Sequence, residues 1–265
     1  YKTTGLREPD YYHLTDKAKE ELFPGMDLIQ KDEQQDRRLI PYTSFAKKSL
    51  FYETQVQTQI DRLAELLDKD RFIQVTQRLS ESGMRKGFAC LFYGSPGTGK
   101  TETVNQLARI TGRDVMLVDV TKIKSCWVGE SEQNIKKLFD NYRSYVKKSE
   151  VAPILLFNEA DAILGIRQEG AERAVDKMEN SIQNIILQEM ESLEGIMIAT
   201  TNLTSNLDKA FERRFIYKIE FKRPSVEAKQ MIWKSMIPSL SDETALSLAK
   251  GYDLNGGQIE NVARK

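Results

Sequence analysis

An apolar run, a glycine-rich turn and an amphipathic stretch follow one another directly in this 265-residue chain. The run Ala89–Tyr93 predicts a buried strand, and the turn Gly94–Thr101 (GSPGTGKT) matches the pattern G-x-x-x-x-G-K-[ST]. Glycines let successive backbone N–H groups turn inward around an anion, and the helix that follows adds its positive N-terminal end. The sequence therefore predicts a loop that holds phosphate groups. The residues predicted to form it are Gly94, Ser95, Pro96, Gly97, Thr98, Gly99, Lys100, Thr101 and Glu102.

Two side chains of this loop carry predicted chemistry beyond the backbone cradle. Lys100 is expected to reach the β- and γ-phosphates of a nucleotide, and the Thr101 hydroxyl is expected to bind Mg²⁺. The rival interpretation is a glycine-rich turn with an exposed lysine. The apolar strand before the turn and the helix after it argue against that interpretation. We therefore expect ATP and Mg²⁺ as cofactors.

Short apolar runs alternate with amphipathic stretches through the middle of the chain. Ile135, Phe139 and Tyr142, for example, share one face of a predicted helix. Continuous apolar runs between helices are typical of parallel strands that are covered on both faces. The pattern predicts an α/β fold, a parallel-sheet P-loop NTPase sandwich with a small C-terminal helical lid domain. The further strands are predicted at Val115–Val120, Ile154–Phe157, Ile196–Thr200 and Tyr217–Phe221.

Shifts in this pattern suggest three segments. Residues 1–40 are polar and weakly patterned, and we interpret them as an N-terminal extension or linker of unknown role, with a short helix at Leu14–Phe23. Residues 41–222 form the predicted nucleotide-binding α/β domain. The pattern is wholly helical from there, so residues 223–265 are predicted to form the lid.

Two residues of the lid segment carry helix-boundary predictions. Pro224 fits an early helix position, and Gly251 fits a helix C-cap. The chain begins at Tyr1 without a methionine and stops at Lys265 inside a helical pattern. We therefore expect a fragment with a truncated lid, from which a targeting signal could be missing.

The composition argues against several classes of function. Lys+Arg and Asp+Glu both number 39, so the net charge is about zero, which argues against a surface dedicated to binding nucleic acid or an anionic membrane. There is no apolar run near the length of a membrane span. The two cysteines, Cys90 and Cys126, show neither metal-ligand spacing nor a disulfide framework, which favours a reducing, cytoplasmic setting.

The stretch ILLFNEAD, residues 154–161, predicts an apolar strand that ends in polar side chains. Ligands bind at the carboxyl ends of strands in open α/β sheets, so Glu159 is placed to orient or deprotonate water. Asn158 stands where an aspartate is expected to hold Mg²⁺ through water. The asparagine amide keeps an oxygen acceptor but lacks the negative charge of an aspartate. Residues that contact a metal through water typically change its affinity by about 10–100-fold. Asp161 is expected mainly to cap the next helix.

These stretches, in this order, resemble the AAA+ ATPases and most closely the classical AAA branch. IMIATTN resembles the sensor-1 strand, which implies that Asn202 contacts the γ-phosphate and water. LDKAFERRF resembles the segment with the arginine finger, which acts on ATP in the neighbouring subunit, and implies that role for Arg213, Arg214 or both. The resemblance covers about residues 50–265, and residues 1–40 lie outside it.

Two further segments carry the resemblance. CWVGESEQNIKKLF resembles the pore-loop segment, and it implies a substrate-gripping tip. LNGGQIENVARK resembles the lid helix that faces the nucleotide, with Gly256 and Gly257 in place of an early arginine. Arg264 lies too late on that helix to replace it. The residues of the implied tip are Trp127, Val128 and Gly129.

Each of these residues also has a structural interpretation. Asn202 alone can cap a turn, Arg213 and Arg214 can form surface ion pairs, and Trp127 can pack in the core or at a subunit contact. The residues leave all of these alternatives open.

The resemblance implies a homo-oligomer, a hexameric ring, in which ATP hydrolysis drives remodelling or unfolding of a protein substrate. Asn158 motivates an alternative, a nucleotide-gated scaffold with little or no turnover. A nucleic-acid-dependent motor or loader is a third hypothesis, which the neutral charge disfavours.

Overall fold

The computed structural model describes residues 39–120, 130–166 and 174–265. Leu39–Lys265 form one compact unit. The predicted helix at Leu14–Phe23 lies outside the described residues, as do Cys126 and the tip at 127–129. The three domain boundaries given above stay a prediction.

The described residues form one six-stranded sheet with the strand order β1-β3-β4-β5-β2-β6. Only β1 is antiparallel to its neighbour, and the other five strands are parallel. All five predicted strands are confirmed to within a few residues. The sequence pattern missed β1 because two residues show no periodicity. The strands are β1 Leu39–Ile40, β2 Phe88–Gly94, β3 Val115–Asp119, β4 Ile154–Asn158, β5 Ile196–Thr201 and β6 Tyr217–Phe221.

Helices cover both faces of this sheet, and a helical lid follows β6. The α-helices are α1 Thr54–Leu67, α2 Lys69–Glu81, α3 Lys100–Thr111, α4 Glu130–Lys148, α5 Asp161–Leu164, α6 Ala174–Glu191, α7 Lys209–Glu212, α8 Val226–Met236, α9 Asp242–Gly251 and α10 Gly256–Ala263. A 3-10 turn spans Tyr42–Ser44. No helix among the described residues is long and apolar enough to span a membrane.

Alternation along β2, β3, β4 and β5 divides the core between the two faces of the sheet. Leu155 and Phe157 of β4 pack toward α4 and α6, while Ile154 and Leu156 pack toward α1 and α3. The two cores make the architecture a three-layer α/β/α sandwich, as predicted. Cys90 lies in the second core as a free thiol, and burial raises its pKa to about 12.

Tyr142 of α4 ties the amino-terminal ends of β4 and β5 together. The single hydrogen of its buried hydroxyl lies within reach of two carbonyl oxygens, those of Pro153 (2.9 Å) and Ile196 (2.8 Å), and the hydroxyl oxygen accepts the Ile196 N–H (2.6 Å). A Cβ atom at Gly195 would lie 2.3 Å from this hydroxyl, so the glycine permits the contact. Tyr142, which was predicted on the apolar face of α4, therefore also satisfies backbone groups at the amino-terminal ends of these two central strands.

The lid helices α8, α9 and α10 share a small core of their own around Trp233, Ala245, Ala249 and Ile259. Two boundary predictions in the lid differ from the structure. Pro224 precedes α8 instead of lying in its first turn, because the Ser225 side chain caps the helix by accepting the Ala228 N–H.

Gly251 is the last residue of α9, and Tyr252 takes the C-cap position in an extended conformation. A left-handed glycine is therefore not needed at this helix end. Beyond it, Asp253 forms ion pairs with Lys229 (2.9 Å) on α8 and with Arg223 (2.6 Å) on the segment between β6 and α8. These ion pairs join the lid to the chain that leads into it.

Candidate functional site

The predicted phosphate loop joins β2 to the N-terminus of α3. Gly94, Gly97 and Gly99 have φ values of 133°, 71° and 93°, which side chains rarely adopt. A Cβ atom at Gly94 would also lie 2.2 Å from the Phe221 carbonyl oxygen. The glycines at these positions are therefore required by the backbone, as expected for an anion-binding nest.

Lys100 is buried within the loop, with 8% of its surface exposed. Its ammonium donates to the carbonyl oxygens of Gly94 and Ser95, both at 2.8 Å, and to Asn202 Oδ1 at 3.0 Å. Burial lowers the pKa of Lys100, while the charges of Asp161 and Glu159 act in the opposite direction. The exposed-lysine interpretation of the loop is therefore wrong.

Asn158, at the end of β4, lies directly beside the loop. Its Oδ1 accepts hydrogen bonds from the hydroxyls of Thr101 (2.6 Å) and Thr200 (2.9 Å). The amide thus supplies the oxygen acceptor that an aspartate would supply, without the charge. Sequence reasoning did not identify Thr200 as a partner of Asn158.

Glu159 follows Asn158 with φ at 52°, an uncommon value for a residue with a side chain. Two contacts with Thr200 hold this backbone in place. The Glu159 N–H donates to Thr200 Oγ1 (3.1 Å), and the next N–H, from Ala160, donates to the Thr200 carbonyl oxygen (2.8 Å). The Glu159 side chain is exposed and lines the cleft at the phosphate loop.

Asp161 does not cap α5, contrary to the prediction, since that helix has no side-chain cap. Its carboxylate instead accepts hydrogen bonds at the end of β5, from the hydroxyl of Thr201, the last residue of the strand, and from the N–H (2.8 Å) and Nδ2 (3.3 Å) of Asn202, which follows it. These contacts orient Asn202 so that its Oδ1 meets Lys100. The side chain of Asn202 contacts Lys100 and Asp161, which does not fit the interpretation that Asn202 caps a turn.

A cleft of about 340 Å³ extends from the phosphate loop to the lid. It is also lined by the segment Lys48–Tyr52, which precedes α1, and by Ile232 and Met236 of α8. No prediction from sequence included these residues, because they follow no motif. The only local signal was the run Leu50-Phe51-Tyr52 just before a predicted helix.

The lid contacts the phosphate loop directly through the start of α10. Asn255 Nδ2 donates to the Pro96 carbonyl oxygen (3.1 Å), and the Gly257 N–H donates to the Gly97 carbonyl oxygen (3.1 Å). Gly256 and Gly257 line the cleft as predicted, but a Cβ atom at either position would approach other protein atoms no closer than 3.6 Å. Arg264, at the end of α10, pairs with Glu260 of the same helix (2.5 Å).

Lys48 adds a second link between the large part of the molecule and the lid. Its ammonium lies 3.5 Å from Glu102 of α3 and 3.6 Å from Glu260 of α10. Tyr52 of the same segment hydrogen-bonds to Thr103 of α3 (2.5 Å). The segment before α1 is thus fixed to the helix that follows the phosphate loop.

Arg213 and Arg214 lie away from this cleft and line a second one of about 640 Å³. Arg214 is half-buried, donates to the Ala210 carbonyl oxygen (2.8 Å) and forms an ion pair with Glu191. Arg213 is exposed, and the described residues offer it neither a side-chain hydrogen bond nor an ion pair. The structural interpretation therefore fits Arg214, whereas the guanidinium of Arg213 is available to another molecule.

A divalent cation at this site would have few protein charges around it. Within the described ranges, no group of three or more His, Cys, Asp or Glu side chains could hold a metal ion. The Thr101 hydroxyl and the Asn158 amide oxygen supply neutral oxygens beside the phosphate loop, which suit Mg²⁺ that is bound largely through water and phosphate. The residues present fit that mode of binding.

A parallel sheet with a phosphate loop after β2 and polar residues at the end of β4 defines the P-loop NTPases. A family model described as "ATPase family associated with various cellular activities (AAA)" matches residues 90–223, just over half of the chain. The chain belongs to this family, and its resemblance to the AAA+ ATPases is confirmed.

Several curated proteins are similar to this chain over part of their length. The Cell division protein C of Sulfolobus acidocaldarius is 30% identical over 62% of this chain and 44% of its own. A putative 26S proteasome regulatory subunit homolog of Methanocaldococcus jannaschii is 37% identical over 54% of this chain and 37% of its own. The Vesicle-fusing ATPase of Arabidopsis thaliana is 27% identical over 72% of this chain and 27% of its own. Each match thus spans less than half of the relative.

Proposed function

We propose that this chain hydrolyses ATP with Mg²⁺ and that hydrolysis drives remodelling or unfolding of a protein substrate by a ring-shaped homo-oligomer. The observation that carries the proposal is the convergence of Lys100, Thr101, Glu159 and Asn202 on one cleft that also reaches the lid. Bound MgATP would supply the γ-phosphoryl group and a cation that neutralises phosphate charge.

In the proposed reaction, the oxygen of a water molecule bonds to the γ-phosphorus while the bond to the bridging β-phosphate oxygen breaks. ADP and inorganic phosphate are the products, and Glu159 accepts the proton of the water. Lys100 stabilises charge on the phosphate oxygens, and Asn202 orients the water and the γ-phosphate. Asp161 supports both residues, because it fixes Asn202 by hydrogen bonds and its charge favours the ammonium form of Lys100.

A neighbouring subunit would complete the site with an arginine, and we favour Arg213 for this role. Its side chain is exposed and unpaired among the described residues, while Arg214 is engaged with Glu191. A guanidinium from a neighbour would stabilise charge on the transferring phosphate. A hexameric ring, a cytoplasmic setting and a gripping role for Trp127, Val128 and Gly129 belong to the same proposal.

The alternative is a nucleotide-gated scaffold that binds ATP with little or no turnover. Asn158 favours it, since the amide lacks the negative charge expected beside Mg²⁺. A nucleic-acid-dependent motor is the weaker candidate. It requires turnover that nucleic acid stimulates, with an affinity that falls steeply as salt rises.

Phosphate release with ATP and Mg²⁺ separates the first two functions. The unchanged chain, Glu159→Gln and Asn158→Asp would be compared across protein concentrations, with nucleotide binding measured in parallel. An active ring predicts turnover that the Gln variant loses while it still binds ATP, and a rate per subunit that rises with concentration. A scaffold predicts that the unchanged chain matches Glu159→Gln and that Asn158→Asp gains activity.

A further inference from the structure

A continuous chain of hydrogen bonds links the ends of β4 and β5 beside the phosphate loop. The Glu159 N–H donates to Thr200 Oγ1 (3.1 Å), and the Thr200 hydroxyl donates to Asn158 Oδ1 (2.9 Å). The Thr101 hydroxyl donates to the same Asn158 oxygen (2.6 Å). Thr200 lies at the centre of this chain with 1% of its surface exposed, so water has little access to replace its hydroxyl.

The donors and acceptors in this series of hydrogen bonds determine which way the Asn158 amide faces. A backbone N–H can only donate, so Thr200 Oγ1 accepts from Glu159 and directs its single hydrogen to Asn158. If the amide were flipped, its Nδ2 hydrogens would face the hydroxyl oxygens of Thr200 and Thr101. The Thr200 and Thr101 hydroxyls would then both lose their acceptor.

This orientation matters only because residue 158 carries an amide. A carboxylate presents an oxygen whichever way it is turned, whereas an amide presents oxygen on one side and two donors on the other. With Asn158 Oδ1 toward Thr101, the threonine hydrogen is engaged and its lone pairs are free for a cation. With the amide flipped, Nδ2 would compete for those lone pairs.

We propose that Thr200 is a positioning residue that fixes the Asn158 amide oxygen toward Thr101 and so enables an uncharged residue to support Mg²⁺ binding. The inference rests on the proposed ATP- and Mg²⁺-binding function. Thr200 also accepts the Glu159 N–H, but that contact serves equally whether residue 158 is an amide or a carboxylate. The two roles of Thr200 can therefore be separated by changing Asn158.

The test is a double-mutant cycle of Thr200→Val and Asn158→Asp, with Thr200→Ser as the matched control. Valine keeps the shape of threonine without its hydroxyl, and serine keeps the hydroxyl. The measured quantity is the Mg²⁺ gain, the ratio of the Kd of a fluorescent non-hydrolysable ATP analogue in EDTA to its Kd in Mg²⁺. A thermal unfolding midpoint for each variant shows whether it folds.

We expect Thr200→Val to reduce the Mg²⁺ gain about 10-fold when residue 158 is the native asparagine, as outer metal partners do. In the Asn158→Asp background the same change should reduce it by less than about 2-fold, and Thr200→Ser should match the native chain. Binding in EDTA should change little, since the positioning acts through the cation.

An equal loss in both backgrounds, or no loss in either, would overturn the inference and leave the proposed function standing. If the unchanged chain binds the analogue but shows no Mg²⁺ gain, the positioning role also fails. If the unchanged chain binds no nucleotide with or without Mg²⁺, the proposed function itself fails, and the inference with it.

Discussion

Asn255, the N-cap residue of the lid helix α10, donates a hydrogen bond from its side-chain amide to the carbonyl oxygen of Pro96 in the phosphate loop (3.1 Å). The Gly257 N–H holds the next carbonyl, that of Gly97, at the same distance of 3.1 Å. In a planar trans peptide the C=O and the following N–H point in opposite directions. The lid therefore directs the N–H groups of Gly97 and Thr98 away from itself.

Asn255→Ser should weaken nucleotide binding without destabilising the lid. Serine caps helices as well as asparagine does, so the hydrogen bond to the Gln258 N–H can persist, but serine has no amide for Pro96. Loss of one hydrogen bond of about 1 kcal/mol predicts a nucleotide Kd about 5-fold higher. Fluorescent nucleotide titration measures it. Asn255→Ala is the control that should lower the unfolding midpoint as well, and an unchanged Kd for Asn255→Ser would mean that Asn255 is only a cap.

Arg213→Ala and Arg214→Ala should have different effects. Arg213 is exposed without a partner among the described residues, so its removal should lower ATP turnover about 10³-fold or more while the unfolding midpoint stays the same. Arg214 joins Glu191 to the Ala210 carbonyl, so its removal should lower the midpoint. Steady-state phosphate release and thermal unfolding measure the two quantities. Full turnover by Arg213→Ala would exclude it as the finger.

Asp161→Asn should reduce turnover more than nucleotide affinity. The change keeps the size of the side chain, but it removes the charge that favours protonated Lys100 and can turn an amide toward Asn202. We expect a kcat about 10-fold lower, equivalent to about 1.4 kcal/mol, with the Kd for ATP nearly unchanged. Turnover and equilibrium binding on the same preparation separate the effects. A loss confined to the unfolding midpoint would instead assign Asp161 a purely structural role.

Asp253 should make the lid sensitive to acid. Hydrogen bonding and charge from Lys229, together with the charge of Arg223, lower the pKa of Asp253 below its ordinary value of 3.8. The folded-state pKa is therefore below the unfolded one, so the stabilisation is present above about pH 4 and is lost as the pH falls through the lower value. Asp253→Asn should reduce the pH dependence of the unfolding midpoint below about pH 4. An identical acid profile for both proteins would contradict this.

Much of the central architecture could be predicted from local pattern. The β2 run and the Gly94–Thr101 turn specify a strand, a nest and a helix start within a few residues. Asn158 and Glu159 could be placed because the carboxyl ends of parallel strands lie at one edge of a sheet. Continuous apolar runs identified the central strands β2, β4 and β5, since residues on both faces of these strands are buried, whereas β6 at the end of the sheet alternates between buried and more exposed residues.

The partners of these residues depend on pairing across the sheet and could not be predicted. Asp161 is close to a helix start in sequence, but the end of β5 places Thr201 and Asn202 within its reach, and these donors take the carboxylate. The Thr200 contact with Asn158 depends on the same β4–β5 pairing. Lys48, which lies before α1, reaches the site through a long-range contact that no short motif encodes.

The Tyr142 hydroxyl, enclosed by the Pro153 and Ile196 backbone, has a spectroscopic consequence. Burial raises its pKa, so its phenol stays un-ionised while exposed tyrosines titrate. Alkaline absorbance difference spectra of the native chain against Tyr142→Phe would isolate the ionisation of this one ring. That signal would appear only when the amino-terminal ends of β4 and β5 part, which makes Tyr142 an intrinsic optical reporter of sheet opening.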